Sequence, residues 1–361
     1  MQKTLEHYAW YPDGLPWQFV TPISVQMERQ PTLLLGEFTF YLTALAALAH
    51  AISNGRKHVL LLVCSLVSGT LNDVFFMVLP FVDNFWHAQC TVMISARLPL
   101  YILCVYVAFV YFPCVGVWRL SDEATSPFGK AAVAALGAGV FYSVYDIVGA
   151  KFLWWTWHHS DAAIFERWCG VPVGSTMWTV VHVFVFYLLF HCVVLRRNST
   201  PLTVCLQVLL VTSFLTTPLM MLLFGIFQLH QLRVSLWPEV NVATLPGKPD
   251  FFSLSLVILS MLCFIGTTSW PFFTRGLKAM RSRSWRLDRL SAAIILIYFI
   301  TLACIMIYGN PAAVVSTGIH QEIGPCNVTG RDLSGYDTRT AMNANLIRKL
   351  LGVTKVLFKS D

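Results

Sequence analysis

The stretch VGSTMWTVVHVFVFYLLFHCVVL, residues 173 to 195, contains no Asp, Glu, Lys or Arg. The hydrocarbon layer of a bilayer is about 30 Å thick and a helix rises about 1.5 Å per residue, so roughly 20 apolar residues suffice to cross it. The stretch reads as a transmembrane helix. Working outward from it, seven further windows meet the same criterion, at 32–52, 58–80, 90–113, 129–150, 202–227, 251–272 and 290–310. The sequence predicts an all-α polytopic transmembrane helical bundle of about eight spans, with Pro218 kinking or breaking the sixth.

Composition agrees with this reading. Of 361 residues, 56% are hydrophobic and 12% are charged, whereas soluble domains carry about 25% charged residues. The expected organisation is an N-terminal segment at 1–31, one transmembrane domain at 32–310, and a tail at 311–361. No internal repeat or long linker divides the membrane part. No removable signal peptide is apparent, so the first span is expected to act as the signal. Between Ala344 and Lys359, basic residues recur at helical spacing among apolar ones, which fits either an amphipathic helix on the membrane surface or a disordered tail. The ten cysteines form no Cys-x-x-Cys pair and mostly fall in apolar windows. Cys169 and Cys326 lie outside the spans and are the two that could bridge in an oxidising compartment.

Charge sets the expected orientation. With eight spans, the loops holding Arg56, Lys57, Arg119, Arg196, Arg197 and the run from Arg275 to Arg289 share one side, and the opposite loops hold few cations. The positive-inside rule places the basic side in the cytoplasm and both termini in the lumen or outside the cell. The sequon Asn327-Val328-Thr329 then falls on the lumenal side. The basic run reads as a topology determinant, or as a patch for anionic lipid headgroups, and not as a nucleic-acid site. Membrane lipids and a hydrophobic small molecule are the partners this implies.

Orientation converts sequence position into depth. Glu37 falls about one turn, Asp73 and Arg97 about two turns, and Asp146 about one turn from the lumenal ends of their predicted spans. At that depth Arg97 could pair with either Asp73 or Glu37. Two loops add Asp83, His87, His158, His159 and Asp161 on the same side, the second behind Trp154, Trp155 and Trp157, which are expected to lie along the membrane surface as a roof. Ionisable groups in hydrocarbon are costly, so a set gathered at one depth marks a candidate site.

Three chemistries fit that set. His87, His158 and His159 with Asp83, Asp161 or Glu37 are candidate ligands for zinc or iron, although adjacent histidines on a helix point about 100° apart. Asp73, Asp146 and Glu37, with Arg97 beside them, are candidate catalytic groups, the carboxyls acting as general acids toward a lipid double bond. The same carboxyls could instead serve a transporter or proton relay. A noncatalytic scaffold is the bland alternative, in which Arg97 merely neutralises a carboxylate. His182 and His191 read as hydrogen-bonded core or interface histidines.

The run from Tyr145-Asp146 through Gly149, Trp155-Thr156-Trp157 and Gly170-Val171-Pro172 to Trp178 resembles the signature segment of the membrane-embedded carotenoid hydratase family. That resemblance implies a multipass protein adding water to an isoprenoid polyene, with Asp146 as the acid. Ile147 stands where that family favours Pro. Over residues 30 to 310, Asn72-Asp73, the segment Asp83 to Gln89, Arg97 to Tyr101, and Tyr145 to Asp161 look like an uncharacterised eukaryotic multipass family, which implies the architecture and no chemistry.

Overall fold

A computed structural model describes residues 18–78, 85–120, 126–157, 167–195, 201–227, 289–317 and 322–323, with scattered positions between 259 and 270. Its helices are α1 (Ile23–Arg29), α2 (Pro31–Asn54), α3 (Arg56–Val78), α4 (Leu100–Tyr106), α5 (Phe112–Leu120), α6 (Pro127–Lys151), α7 (Val173–Phe190), α8 (Leu202–Phe227) and α9 (Arg289–Tyr308). A π-helical turn, Val107–Tyr111, joins α4 to α5, and another, His191–Leu195, ends α7. Seven spans among the described residues are long and apolar enough to cross a membrane. The window expected at 251–272 lies almost wholly outside the described residues.

Local chemistry explains the boundaries. Gly55, at φ 94°, makes the one-residue turn between α2 and α3, a conformation that suits a residue without Cβ. Ser126 caps α6 by accepting from the Gly129 N–H, with Pro127 at the first helical position, where its missing N–H costs nothing. Pro113 explains the π turn before α5. Its nitrogen cannot donate to the Phe109 carbonyl and its ring would crowd that carbonyl, so the preceding turn widens. Pro218 is carried inside a continuous α8.

The third span differs from its expected bounds of 90–113. The helix begins at Leu100, after Pro99, and residues 88–99 form bends and isolated bridges. Pro99 cannot be preceded comfortably by helical backbone, so an apolar run that satisfied the hydropathy count is extended at its start. Arg97 is therefore in this connecting segment and not two turns inside a helix.

Packing contacts run from α2 to α3, α8, α7, α6 and α9 and back to α2, while α4, the π turn and α5 contact α2, α3 and α6 from within. The span Leu100–Trp118 is the most buried of the seven. Outward faces carry stripes such as Leu35, Phe38, Leu42 and Leu45 on α2, exposed at helical spacing and matched to lipid.

One end of the bundle carries a cap built from several segments. The two-stranded antiparallel ribbon pairs β1 (Phe85–His87) with β2 (Trp155–Trp157), Trp86 opposite Thr156. Residues 18–21 run beside 91–93, with Thr21 N donating to Thr91 O and Met93 N to Phe19 O. Leu153, held at φ 56°, turns the chain after α6, and its carbonyl accepts from Gln30 Nε2 at 3.1 Å and from Ser316 Oγ at 2.8 Å. That turn sends Trp154 and Trp155 back into the bundle. They are 0% and 3% exposed, so they do not lie along the membrane surface as their interfacial preference suggests. The reason is two glycines. A Cβ on Gly36 would meet the Trp154 ring at 2.5 Å, and one on Gly149 would overlap the Trp155 ring, so each indole packs where a helix has no side chain.

Candidate functional site

Behind the cap, three helices present polar residues at helical spacing toward the central span. On α3 these are Gly69, Asn72, Asp73 and Phe76; on α6, Tyr142, Asp146 and Gly149; on α7, Ser175, Trp178 and His182. Each set repeats every three or four residues, which keeps it on one face. Tyr106, the last residue of α4, stands among them.

Asp73 is buried and accepts a 2.6 Å hydrogen bond from the Tyr106 hydroxyl to Oδ1. Tyr106 also receives Asn72 Nδ2 at 3.4 Å, and Thr217 of α8 donates to Asn72 Oδ1 at 3.2 Å. The chain of contacts thus ties three spans together. Gly69, one turn before Asp73, makes the geometry possible, since a Cβ there would overlap the Tyr106 ring. Asp146, fully buried, accepts from Ser175 Oγ at 2.5 Å on Oδ2. Tyr142 lies one turn before Asp146 on α6, with its ring 6.2 Å from Trp178.

The remaining polar atoms there have no protein partner. Asp73 Oδ2, Asp146 Oδ1, Trp178 Nε1 and both ring nitrogens of His182 are buried without a hydrogen bond. Aromatic faces fill the rest. Trp178 stacks on His182 with centroids 5.4 Å apart, and Tyr106, Tyr142 and Phe76 lie 6.4, 6.2 and 6.0 Å from Trp178. Tyr145 approaches Trp155 at 4.7 Å and Phe40 at 4.9 Å. His182, read from the sequence as a hydrogen-bonded core histidine, is instead an unsatisfied one.

Glu37 stands apart from this centre. Its oxygens accept from Thr91 N at 3.0 Å and Thr91 Oγ1 at 2.7 Å, so it fastens the segment before α4 onto α2. Replacing Glu37 with Ala leaves those buried donors unmatched, at about 1–3 kcal/mol for each. Thermal unfolding in detergent is expected to show Glu37→Ala well below wild type and Glu37→Gln, which keeps an acceptor, between them. An unchanged midpoint for Glu37→Ala would remove this anchoring role.

Arg97 has hydrogen-bond partners among the described residues other than the expected Asp73 and Glu37. Its guanidinium donates to the carbonyls of Met77 at 3.1 Å and Phe85 at 3.0 Å, joining the end of α3 to β1, while Asp73 is held by Tyr106 and Glu37 by Thr91. The start of α4 at Leu100 is the cause, because it leaves Arg97 in the cap. His87 is buried next to it, between Phe85 at 5.3 Å and Trp155 at 6.2 Å. Asp83, His158, His159 and Asp161 lie outside the described residues. Among the described residues, no group of three His, Cys, Asp or Glu side chains is arranged to hold a metal ion.

Burial, with the Arg97 charge adding to it, pushes His87 down to about 3. The ordinary histidine value is about 6.5, so the unfolded chain binds a proton first as pH falls. The contribution of neutral His87 is complete above about pH 6.5 and is lost progressively below it. Hydrogen exchange at residues 85–88, corrected for intrinsic rate, is expected to show greater opening at pH 5 than at pH 7.5. His87→Phe is expected to flatten that dependence, and a dependence that persists in the variant would assign the effect elsewhere.

The sequence reading singled out Asp73, Asp146, Trp178 and His182, and it did not single out Tyr106 or Tyr142, nor Ser175 as the partner of Asp146. The periodicities on α3, α6 and α7 carried a signal for them, as did Gly69 and Gly149, whose missing side chains mark close approach. No curated protein and no solved structure matches the chain. Residues 19–347, which take in every span described above, match the family described as a domain of unknown function, DUF7802, and the chain belongs to that family.

Proposed function

We propose that this protein is a membrane-embedded enzyme that adds a proton, and then water, to an unsaturated lipid of isoprenoid type, with Asp146 and Asp73 as its acids. The observation that carries the reading is two buried carboxyl groups, Asp73 and Asp146, each with one oxygen held by a hydroxyl donor and the other without a hydrogen-bond partner among the described residues. A carboxyl held this way is oriented yet keeps an oxygen for a reacting group. The aromatic surroundings suit the chemistry as well.

In the reaction, the Asp146 carboxyl proton passes to one carbon of the double bond, forming a C–H bond and leaving a cation on its neighbour. The faces of Tyr142, Tyr145, Trp155 and Trp178 stabilise that cation through their quadrupoles, by about 0.5–2 kcal/mol for each well-placed ring. Water bonds to the cationic carbon, and the proton it releases returns to the carboxylate of the pair. Arg97 supports the site from the cap by joining α3 to β1, and Glu37 by fixing the segment before α4. The site lies toward the cap end, and the reading takes that end as lumenal or extracellular, in line with the positive-inside rule.

The test is incubation of the purified full chain in lipid nanodiscs with a polyprenol or an acyclic carotene in deuterium oxide. Deuterium entering the polyene, with a mass gain matching water addition, supports the reading. Absence of both in folded protein rejects it.

A proton-coupled carrier is the second reading, favoured by the far half of the central span. There His50 Nδ1 and the Tyr111 hydroxyl are hydrogen-bonded at 2.7 Å in a buried position, and Tyr111 lies five residues along the span from Tyr106, the partner of Asp73. The π turn serves this alignment, because residues five apart fall nearer one face in a π turn than in an α-helix. Proteoliposomes that acidify on substrate addition, without altering the substrate, would favour this reading.

A further inference from the structure

Trp178 Nε1 and the two His182 ring nitrogens take no part in the step proposed above, and they share the neighbourhood of Tyr106 with the open oxygen of the acid Asp73. Within the apolar interior these atoms comprise one obligate donor, Trp178 Nε1, an imidazole that donates from one nitrogen and accepts at the other, and Asp73 Oδ2. All three side chains adjoin the Tyr106 ring. His182 lies 6.3 Å and Trp178 6.4 Å from it by centroid, and Asp73 is fixed to its hydroxyl. Buried polar groups in folded proteins nearly always have partners, and leaving several unmatched in hydrocarbon is costly. Such groups persist where another molecule supplies the missing bonds.

We infer that Trp178, His182 and Asp73 form a binding site for an O–H group, one that donates and accepts, supplied by a lipid alcohol or by water. The donor and acceptor types decide the class. A hydrocarbon satisfies none of these atoms, and a carboxylate or phosphate would accept from Trp178 but face Asp73. A hydroxyl accepts from Trp178 Nε1 and donates to His182 or Asp73, so a single O–H group meets opposite needs. His182 is a positioning residue here, stacked on Trp178 and separated from Ser175, the partner of Asp146, by two helical turns of α7. The inference deepens the proposed reaction by naming the polar group admitted beside the acids, and its test reads binding instead of turnover.

Full-length protein in nanodiscs is titrated with tritiated farnesol and, separately, with the matching hydrocarbon farnesene, each corrected for partition into empty nanodiscs. A lipid-alcohol site predicts that wild type holds farnesol about tenfold more tightly. His182→Phe and Trp178→Phe lose that preference and keep hydrocarbon binding, and His182→Gln, which retains a donor and an acceptor, keeps part of it. A water site predicts no preference for the alcohol, together with a water-to-imidazole transfer signal in protein labelled on histidine nitrogen, assigned to His182 by its loss in His182→Phe. A preference that survives both Phe variants overturns the inference, as does the absence of both preference and water contact. Binding that behaves as expected without deuterium incorporation rejects the proposed reaction and leaves this site standing.

Discussion

Gly69→Val is expected to leave little folded protein, and Gly69→Ala a protein of lowered stability. A Cβ at this position would overlap the Tyr106 ring, and the ring cannot retreat without losing the hydroxyl that holds Asp73. Overpacking a well-filled interior costs about 1–3 kcal/mol, and an unmatched buried polar group adds about 1–3 kcal/mol. The two effects share one cause and together approach the stability of many domains. Thermal unfolding and size-exclusion behaviour in detergent measure the result. The second site tests the cause: Tyr106→Ala vacates the space, so Gly69→Val is expected to do much less harm in that background. Equal harm in both backgrounds would place the damage in α3 itself.

The same contact illustrates what the sequence could tell. Long apolar windows made the helical bundle legible because spanning length is fixed by the bilayer, and the described spans at Pro31–Asn54, Pro127–Lys151 and Arg289–Tyr308 follow their predicted windows closely. The start of the third span was not legible from hydropathy, since residues 90–99 are apolar enough to count yet extended before Pro99. Trp154 and Trp155 were misplaced for a related reason. Their side chains favour an interface, but Gly36 and Gly149 open grooves that accept them inside. Averages over windows do not register single missing side chains.

At the candidate site, the acids were legible as charges in hydrocarbon and their partners were not. Tyr106 reaches Asp73 because α4 begins at Leu100 and ends at the π turn, a register that depends on Pro99 and Pro113 together. Ser175 meets Asp146 across a helix contact, and Arg97 reaches the Met77 and Phe85 carbonyls once the helix start moves. Each depends on tertiary geometry that no local pattern encodes. His182 shows the converse. Its position was plain, but its unmet hydrogen bonds emerge only when every neighbour can be named.

Asp146→Asn is expected to lower deuterium incorporation into a polyene by about 10²- to 10⁴-fold, the usual contribution of a positioned general acid. The amide oxygen can still accept from Ser175 Oγ, so the variant should fold and retain the contact between α6 and α7. Loss of chemistry with retained stability then belongs to the missing acid proton. Asp73→Asn is informative beside it, because both carboxyls are buried with one oxygen held by a hydroxyl and the two need not contribute separately. Groups that act as one unit lose nearly everything on the first substitution, and the double variant is then scarcely worse than either single one. If instead the losses multiply, Asp73 and Asp146 serve separate steps. A double variant as active as wild type would sink acid catalysis at this pair and turn attention to the separate buried contact between Tyr111 and His50 in the far half of the span.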